Sequence, residues 1–249
     1  MTAQDVTVVG GGVAGRSAGI FTARHGLETV VADAGSPILR RNAHLENYPG
    51  FPAGVDARLL LDMMRDQAER AGCEYRECEV TRVTHVSDGT DGESRFRVET
   101  ANGREWNSRY VVAATKNTTN YLDELDGVGI ISRGKKFVDI EEGGRTGVDG
   151  LYAAGRLAEK PHQAVVCAGH GAEVAVALLE DDDVPFYHDW VAPEGYFTGR
   201  GRDLPPGCEE IDGAEHRRRE EESLSVMREY VAEPHPDSPE QHPSVAEQD

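Results

Sequence analysis

Two rhythms of apolar and polar positions run along this chain. Residues 5–9 form a short apolar run, a glycine-rich break follows at residues 10–15, and Ala14, Ala18, Phe21 and Ala23 then recur on a helix predicted over residues 13–25 and closed by Gly26. A second apolar run at residues 28–32 ends in Asp33, so the opening segment reads strand, helix, strand. Leu59, Leu60, Met63, Met64 and Ala68 recur at helical spacing over residues 56–71, and Gly72 is placed to end that helix. Residues 78–86 and 94–100 alternate as half-buried strands around a turn at residues 87–92. Residues 110–115 and 150–155 read as buried strands, and residues 164–179 as a helix rich in small residues.

Beyond Leu179 the pattern changes. Residues 180–211 mix acids, prolines and glycines with Phe186, Tyr187, Trp190, Tyr196 and Phe197, which suggests an arm laid over the domain or facing a second copy of the chain. Residues 214–232 carry Leu224, Met227 and Val231 as a thin apolar stripe on a charged helix. The final 17 residues hold four prolines and almost no large apolar side chain, so disorder is expected there. The organisation is one α/β domain over residues 1–180, an arm and helix over 181–232, and a tail over 233–249.

Composition narrows the function. Against 26 basic residues stand 45 acidic ones, a formal charge of −19, and a surface that negative repels nucleic acid and anionic lipid heads. Only Lys116, Lys135, Lys136 and Lys160 among the cations are lysines; with acids spread along the whole chain, this is the pattern of a halophile's protein, in which salt screens self-repulsion. Neither an 18-residue apolar stretch nor a leader-like start is present, so a cytoplasmic location without membrane contact is expected. Cys73, Cys78, Cys167 and Cys208 form no C-x-x-C pair and no metal-ligand spacing.

Gly10, Gly12 and Gly15 satisfy G-x-G-x-x-G at a strand-to-helix turn. The first permits the turn, the second lets backbone approach a pyrophosphate, and the third lets helix and strand pack closely, with the helix N-terminus toward the phosphates. Asp33 follows where a carboxylate accepts from ribose hydroxyls. The arrangement predicts a dinucleotide, and NAD and FAD satisfy it equally.

Four further segments go beyond the fingerprint: Glu46-Asn47-Tyr48-Pro49-Gly50-Phe51-Pro52, Val111-Val112-Ala113-Ala114-Thr115, Thr146-Gly147-Val148-Asp149-Gly150-Leu151-Tyr152-Ala153-Ala154-Gly155, and Gln163-Ala164. In that order they resemble the FAD-binding halves of the thioredoxin reductase family, over about residues 5–180. The resemblance implies an FAD-binding, Rossmann-like domain of three ββα layers, with family segments 1–115 and 135–180 joined directly. It implies that Gly10, Gly12, Val13, Ala14 and Gly15 meet the FAD pyrophosphate and Asp33 the adenosine ribose. It sets Val80 backbone against adenine, Asn47 near the flavin ring, and Ala114 and Thr115 over the cofactor. Gly155 and Arg156 would face the ribityl chain, and Gln163 and Ala164 would present a helix N-terminus to the isoalloxazine.

This chain departs from the family at three places. Arg156 stands where the family has Asp, Lys116 where a glycine usually follows the threonine, and Ser36-Pro37-Ile38-Leu39 replaces a Gly-Gly-Gln-Leu segment. Only 30 residues separate Thr115 from Thr146, too few for the family's inserted pyridine-nucleotide domain with its C-x-x-C. Thioredoxin reduction by the family mechanism is therefore not expected. An FAD-dependent oxidoreductase is, its electron donor a small molecule or a redox protein; the alternative is a flavin-binding sensor or subunit whose partner supplies the missing domain. No catalytic residue is assigned. His162 reads as a flavin contact or a surface histidine, Cys167 as a flavin neighbour or core, and Cys73 with Cys78 as structural thiols or a redox pair.

Overall fold

The computed structural model describes residues 3–86 and 95–246. The turn expected at residues 87–92 lies outside them. In chain order the first domain runs β1 (Ala3–Val9), α1 (Val13–Arg24), β2 (Thr29–Asp33), α2 (Ala57–Arg70), β3 (Glu74–Glu77), β4 (Val80–His85), β5 (Phe96–Thr100), β6 (Glu105–Ala113), β7 (Ile130–Ser132), β8 (Lys136–Val138), β9 (Leu151–Ala153) and α3 (Ala164–Asp181). Strands β3, β2, β1, β6 and β9 are parallel neighbours in that order. Strand β6 shares one edge between two partners: residues 105–108 pair antiparallel with β5, residues 111–113 parallel with β9.

Alternation along these strands builds two cores. Val6, Val8, Val31, Tyr110, Val112 and Tyr152 face α1 and α3, whereas Val9, Val30, Ala32, Val111, Ala113 and Leu151 face the β4–β5 hairpin, Phe96, Val98 and Trp106. Trp106, 1% exposed, satisfies its indole by donating Nε1–H to Thr7 Oγ1 at 2.9 Å. Helix, parallel sheet and antiparallel strands thus form the three expected layers. Helix α3 needs its small residues because a Cβ at Gly171 would fall 2.1 Å from the Ala14 carbonyl oxygen, where α1 crosses it. Helix α2 begins at Asp56, whose carboxylate accepts from the amides of Arg58 and Leu59, and Gly72 takes φ +106° just beyond its end.

Helix spans agree with the sequence to within two residues. Strands differ more. β3 and the first half of β6 do not stand out in the sequence, because Glu74–Glu77 is charged and at most half-buried, and at residues 105–109 only Trp106 and Ser108 turn inward between polar positions. Residues 116–145, too few for a nucleotide domain, fold as short turns and the β7–β8 hairpin.

The arm forms a two-stranded parallel pair, β10 (Trp190–Pro193) and β11 (Cys208–Ile211), before α4 (Gly213–Tyr230). Its aromatics pack mostly on one another: Trp190, Tyr196 and Phe197 ring centroids lie 4.7–5.5 Å apart. Phe186 packs edge-on to His25, and Arg24 pairs with Asp189 at 2.6 Å. These contacts sit at the C-terminal end of α1, so the arm lies over the domain at the end of that helix away from the glycine loop. The tail, expected to be disordered, lies in its described part against α2 and the turn before it, through Arg40 with Asp237 and Glu240 and His235 with Asp62. Charge pairs rather than apolar burial hold it, and such exposed pairs contribute little each.

Candidate functional site

Parallel pairing puts the C-terminal ends of β1, β2, β6 and β9 on one edge of the sheet, where the chain leaves each strand into a loop. The loops are stitched together by backbone: Gly10 donates to the Ala32 carbonyl at 2.9 Å, Ala114 to Val9 at 2.8 Å and Ala154 to Ala113 at 2.8 Å. Above this edge lies a cavity of about 610 Å³. Gly10, Gly12, Val13 and Ala14 border it on one side with Asp33 and Val80; Ala114, Thr115, Arg156, Asn47, Gln163 and Ala164 border it on the others.

Gly15 and Gly155, expected to meet ligand, are not on its wall and act through packing. A Cβ at Gly15 would lie 1.9 Å from the Gly10 carbonyl oxygen, and one at Gly155, which has φ +65°, would lie 2.6 Å from Ala14 Cβ. Gly12 is the opposite case. With φ −78° it has an ordinary backbone, yet a Cβ there meets nothing within 4 Å and would project into open space. That is the cradle a pyrophosphate needs.

Two helices start at this cavity without a capping side chain or an acid in the first turn: α1 after Gly12 and α3 after Gln163. Their free first-turn amides carry the partial positive charge of a helix N-terminus. Asn47 Nδ2 donates to Gln163 Oε1 at 2.9 Å, joining two segments 116 residues apart that the sequence placed at the same end of a ligand. Thr115 is held by Tyr121, hydroxyl to hydroxyl at 3.0 Å, and Tyr121 is a wall residue no sequence pattern marked.

Asp33 is buried; Oδ1 accepts from the Gly35 amide at 2.8 Å and Oδ2 from Arg16 Nη2 at 3.3 Å. Each carboxylate oxygen can accept two hydrogen bonds and here accepts one, so both retain capacity for a ribose. Arg16, itself 5% exposed, was missed in the sequence, although a cation on the otherwise small and apolar face of α1 is a signal that an acid lies beneath it. It also donates to the Leu61 carbonyl, tying α1 to α2. Gly11 likewise went unassigned: a Cβ there would collide with Asp33 Oδ2 at 2.0 Å.

The remaining candidates separate by environment. Burial pushes the Cys73 thiol up to about 12, and burial also raises Cys78 and Cys167; all four cysteines are free. Protonated, buried thiols are poor nucleophiles, which favours the structural reading of Cys73 and Cys78. Cys167 borders the cavity beneath Gln163 and sets its Sγ against the Pro161 carbonyl at 3.5 Å. His162 also borders the cavity; partial burial and then the cations Lys116, Arg156 and Lys135 lower its pKa. Arg156 donates to the Lys160 carbonyl at 3.0 Å and stacks its guanidinium 4.7 Å from the Phe137 ring centroid, which fixes a cation at the wall where the family has a carboxylate. His170 on α3 accepts the Gly155 amide at Nδ1, 2.9 Å, behind the wall.

No protein-family model matches the chain. Thioredoxin reductase of Aquifex aeolicus is 30% identical over 186 residues, 72% of this chain and 46% of that protein. The bifunctional thioredoxin reductase/thioredoxin of Mycobacterium leprae is 33% identical over 135 residues, 53% of this chain and 28% of its own length. The chain therefore spans less than half the length of these curated relatives. Among solved structures, a thioredoxin reductase from Gloeobacter violaceus superposes with a TM-score of 0.61 at 19% identity, covering 76% of this chain and 100% of that one. The atypical thioredoxin reductase TRi of Desulfovibrio vulgaris Hildenborough gives 0.58 at 18% identity, covering 74% and 100%.

Proposed function

We propose, from the premise that this chain is thioredoxin reductase-like in sequence and fold, that it is an FAD-dependent oxidoreductase working with a donor and an acceptor supplied from outside its own fold. The observation that carries the reading is one continuous cavity bordered both by the glycine loop of α1 and by the Asn47–Gln163 bridge at the start of α3. A cofactor with a diphosphate in its middle and an aromatic ring at one end fits that shape, and the cavity volume lies within the range of small-molecule sites.

Bound FAD would supply the electron chemistry. The amides of Gly12, Val13 and Ala14 would bind the diphosphate, Asp33 would accept from the adenosine ribose, and the Val80 backbone would border adenine. Ala114 and Thr115, fixed by Tyr121, would close over the middle. At the far end Asn47 holds Gln163 in place, and the amides that open α3 would stabilise negative charge on the ring. With Arg156 in place of an acceptor, this chain would hold the sugar chain differently from its relatives and offer a cation to a phosphate instead. The described cysteines supply no dithiol, so thioredoxin reduction by a C-x-x-C exchange is not part of the reading.

Anaerobic stopped-flow mixing of FAD-loaded protein with NADPH, NADH or reduced ferredoxin tests it. The expected result is bleaching of the flavin band at a catalytic rate by at least one of them. A flavin that stays oxidised with every donor would leave a binding module without turnover.

A further inference from the structure

Of the four lysines of this acidic chain, Lys116 is on the cavity wall after β6, and the other three stand on segments beside wall residues: Lys135 in the turn between β7 and β8, within electrostatic reach of Lys116 and His162, Lys136 at the start of β8, and Lys160 just before α3. Asn117 donates to the Lys136 carbonyl at 3.1 Å, Arg156 stacks 4.7 Å from the ring centroid of Phe137 on β8, and Arg156 donates to the Lys160 carbonyl at 3.0 Å, so the three segments are tied to one another. Arg156 borders the cavity as well, and Arg41, which ends the turn whose Ile38 and Leu39 are on the wall, lies within electrostatic reach of Lys116. Among the described residues none of these lysines, nor Arg41 or Arg156, makes an ion pair within 4.0 Å. The acids beside them are engaged elsewhere, Glu46 with His44 at 2.7 Å and Glu159 with Arg133 at 3.3 Å.

Water solvates the exposed members of this cluster, Arg41, Lys135 and Lys136, whereas an anion would offset the charge of its half-buried member, Lys116. Lys116 stands with φ +66°, a conformation that side chains rarely adopt, and it is half-buried among like charges; its pKa is lowered by burial and by Lys135, Arg41 and Arg156. A dinucleotide's diphosphate brings about two negative charges, one per phosphate, and the N-terminus of α1 already supplies part of the compensation. Arg41, Lys116, Lys135 and Arg156 exceed that demand. Elsewhere the surface, with its formal charge of −19, repels small anions, so a local positive mouth is the means of admitting one.

We infer that this mouth binds a second ligand beside the cofactor, a small phosphorylated anion, and that Lys116, Lys135, Arg41 and Arg156 are its recognition residues. The inference rests on the FAD reading for what lies next to the ligand, and it gives the external redox substrate a chemical class.

Inorganic pyrophosphate is the probe, titrated calorimetrically into FAD-loaded protein at about 0.1 M salt, where charges within about 10 Å are still felt. Wild type should bind one equivalent. The Arg41→Gln/Lys135→Gln double variant changes two exposed side chains off the cavity wall. It should bind pyrophosphate roughly tenfold more weakly, a change of two exposed charges, while its FAD affinity stays within about threefold. Absence of pyrophosphate binding to FAD-loaded wild type, or equal binding by the variant, would overturn the inference and leave the FAD reading intact. Failure to take up FAD, with apo-protein binding pyrophosphate and the double variant binding it tenfold more weakly, would sink the FAD reading and uphold the anion site.

Discussion

Replacing Gly12 by valine is expected to abolish FAD binding in a protein that still folds. The residue is the N-cap of α1 with φ −78°, which valine adopts, and a Cβ there touches no protein atom within 4 Å. The cost to the apo-protein should therefore stay within about 1 kcal/mol, the size of an N-cap preference. The branched side chain would occupy the space in which the diphosphate meets the α1 amides, and affinity should fall at least a hundredfold, about 3 kcal/mol. Gly15→Ala is the control: its Cβ would strike the Gly10 carbonyl oxygen, so it should lower stability whether or not FAD is present. Urea unfolding and flavin-fluorescence titration of the two variants separate the cases. Undiminished FAD binding by Gly12→Val would mean that no phosphate approaches α1.

The second large effect is a loss of stability in acid that runs through His170. Its Nδ1 accepts the Gly155 amide, it is 4% exposed, and burial, with Lys160 adding to it, depresses its pKa from 6.5 to about 4. A native state that refuses a proton which the unfolded chain accepts is destabilised as pH falls. The contribution is intact above pH 6.5, declines between 6.5 and 4, and is exhausted below 4. Over that window the loss amounts to about 3 kcal/mol. His170→Asn keeps an acceptor near the Gly155 amide and removes the titration. Between pH 7 and 4.5 the wild type should therefore lose about 2–3 kcal/mol more than this variant in urea melts. Equal losses would show that His170 is not the acid-sensitive group.

Both effects arise at points where the sequence was partly legible. Gly10, Gly12 and Gly15 announced the loop because only glycine suits those approaches, and Asp33 closed a strand at a readable distance from it. The division of labour within the motif was not readable: whether a missing Cβ faces a ligand or a neighbouring backbone depends on the crossing of α1 and α3, to which Gly171 and Gly155 contribute from more than 140 residues away. Asn47 and Gln163 were drawn to one end only through a family resemblance, since nothing local in either segment signals their hydrogen bond. Tyr121 and His170 stayed hidden because a buried polar residue is indistinguishable from a surface one until its partner is known, and Arg16 was marked only by its place on the small, apolar face of α1. Strand β3 failed the alternation test because its charged residues are ordered by pairing with β2, and the start of β6 because Trp106 is the one large apolar side chain on its inward face.

The most direct test of the account is a titration of FAD into the purified, folded chain in molar salt, followed by absorbance after removal of free ligand. The account predicts a yellow protein retaining about one flavin per chain. Folded protein that remains colourless with excess FAD would contradict it.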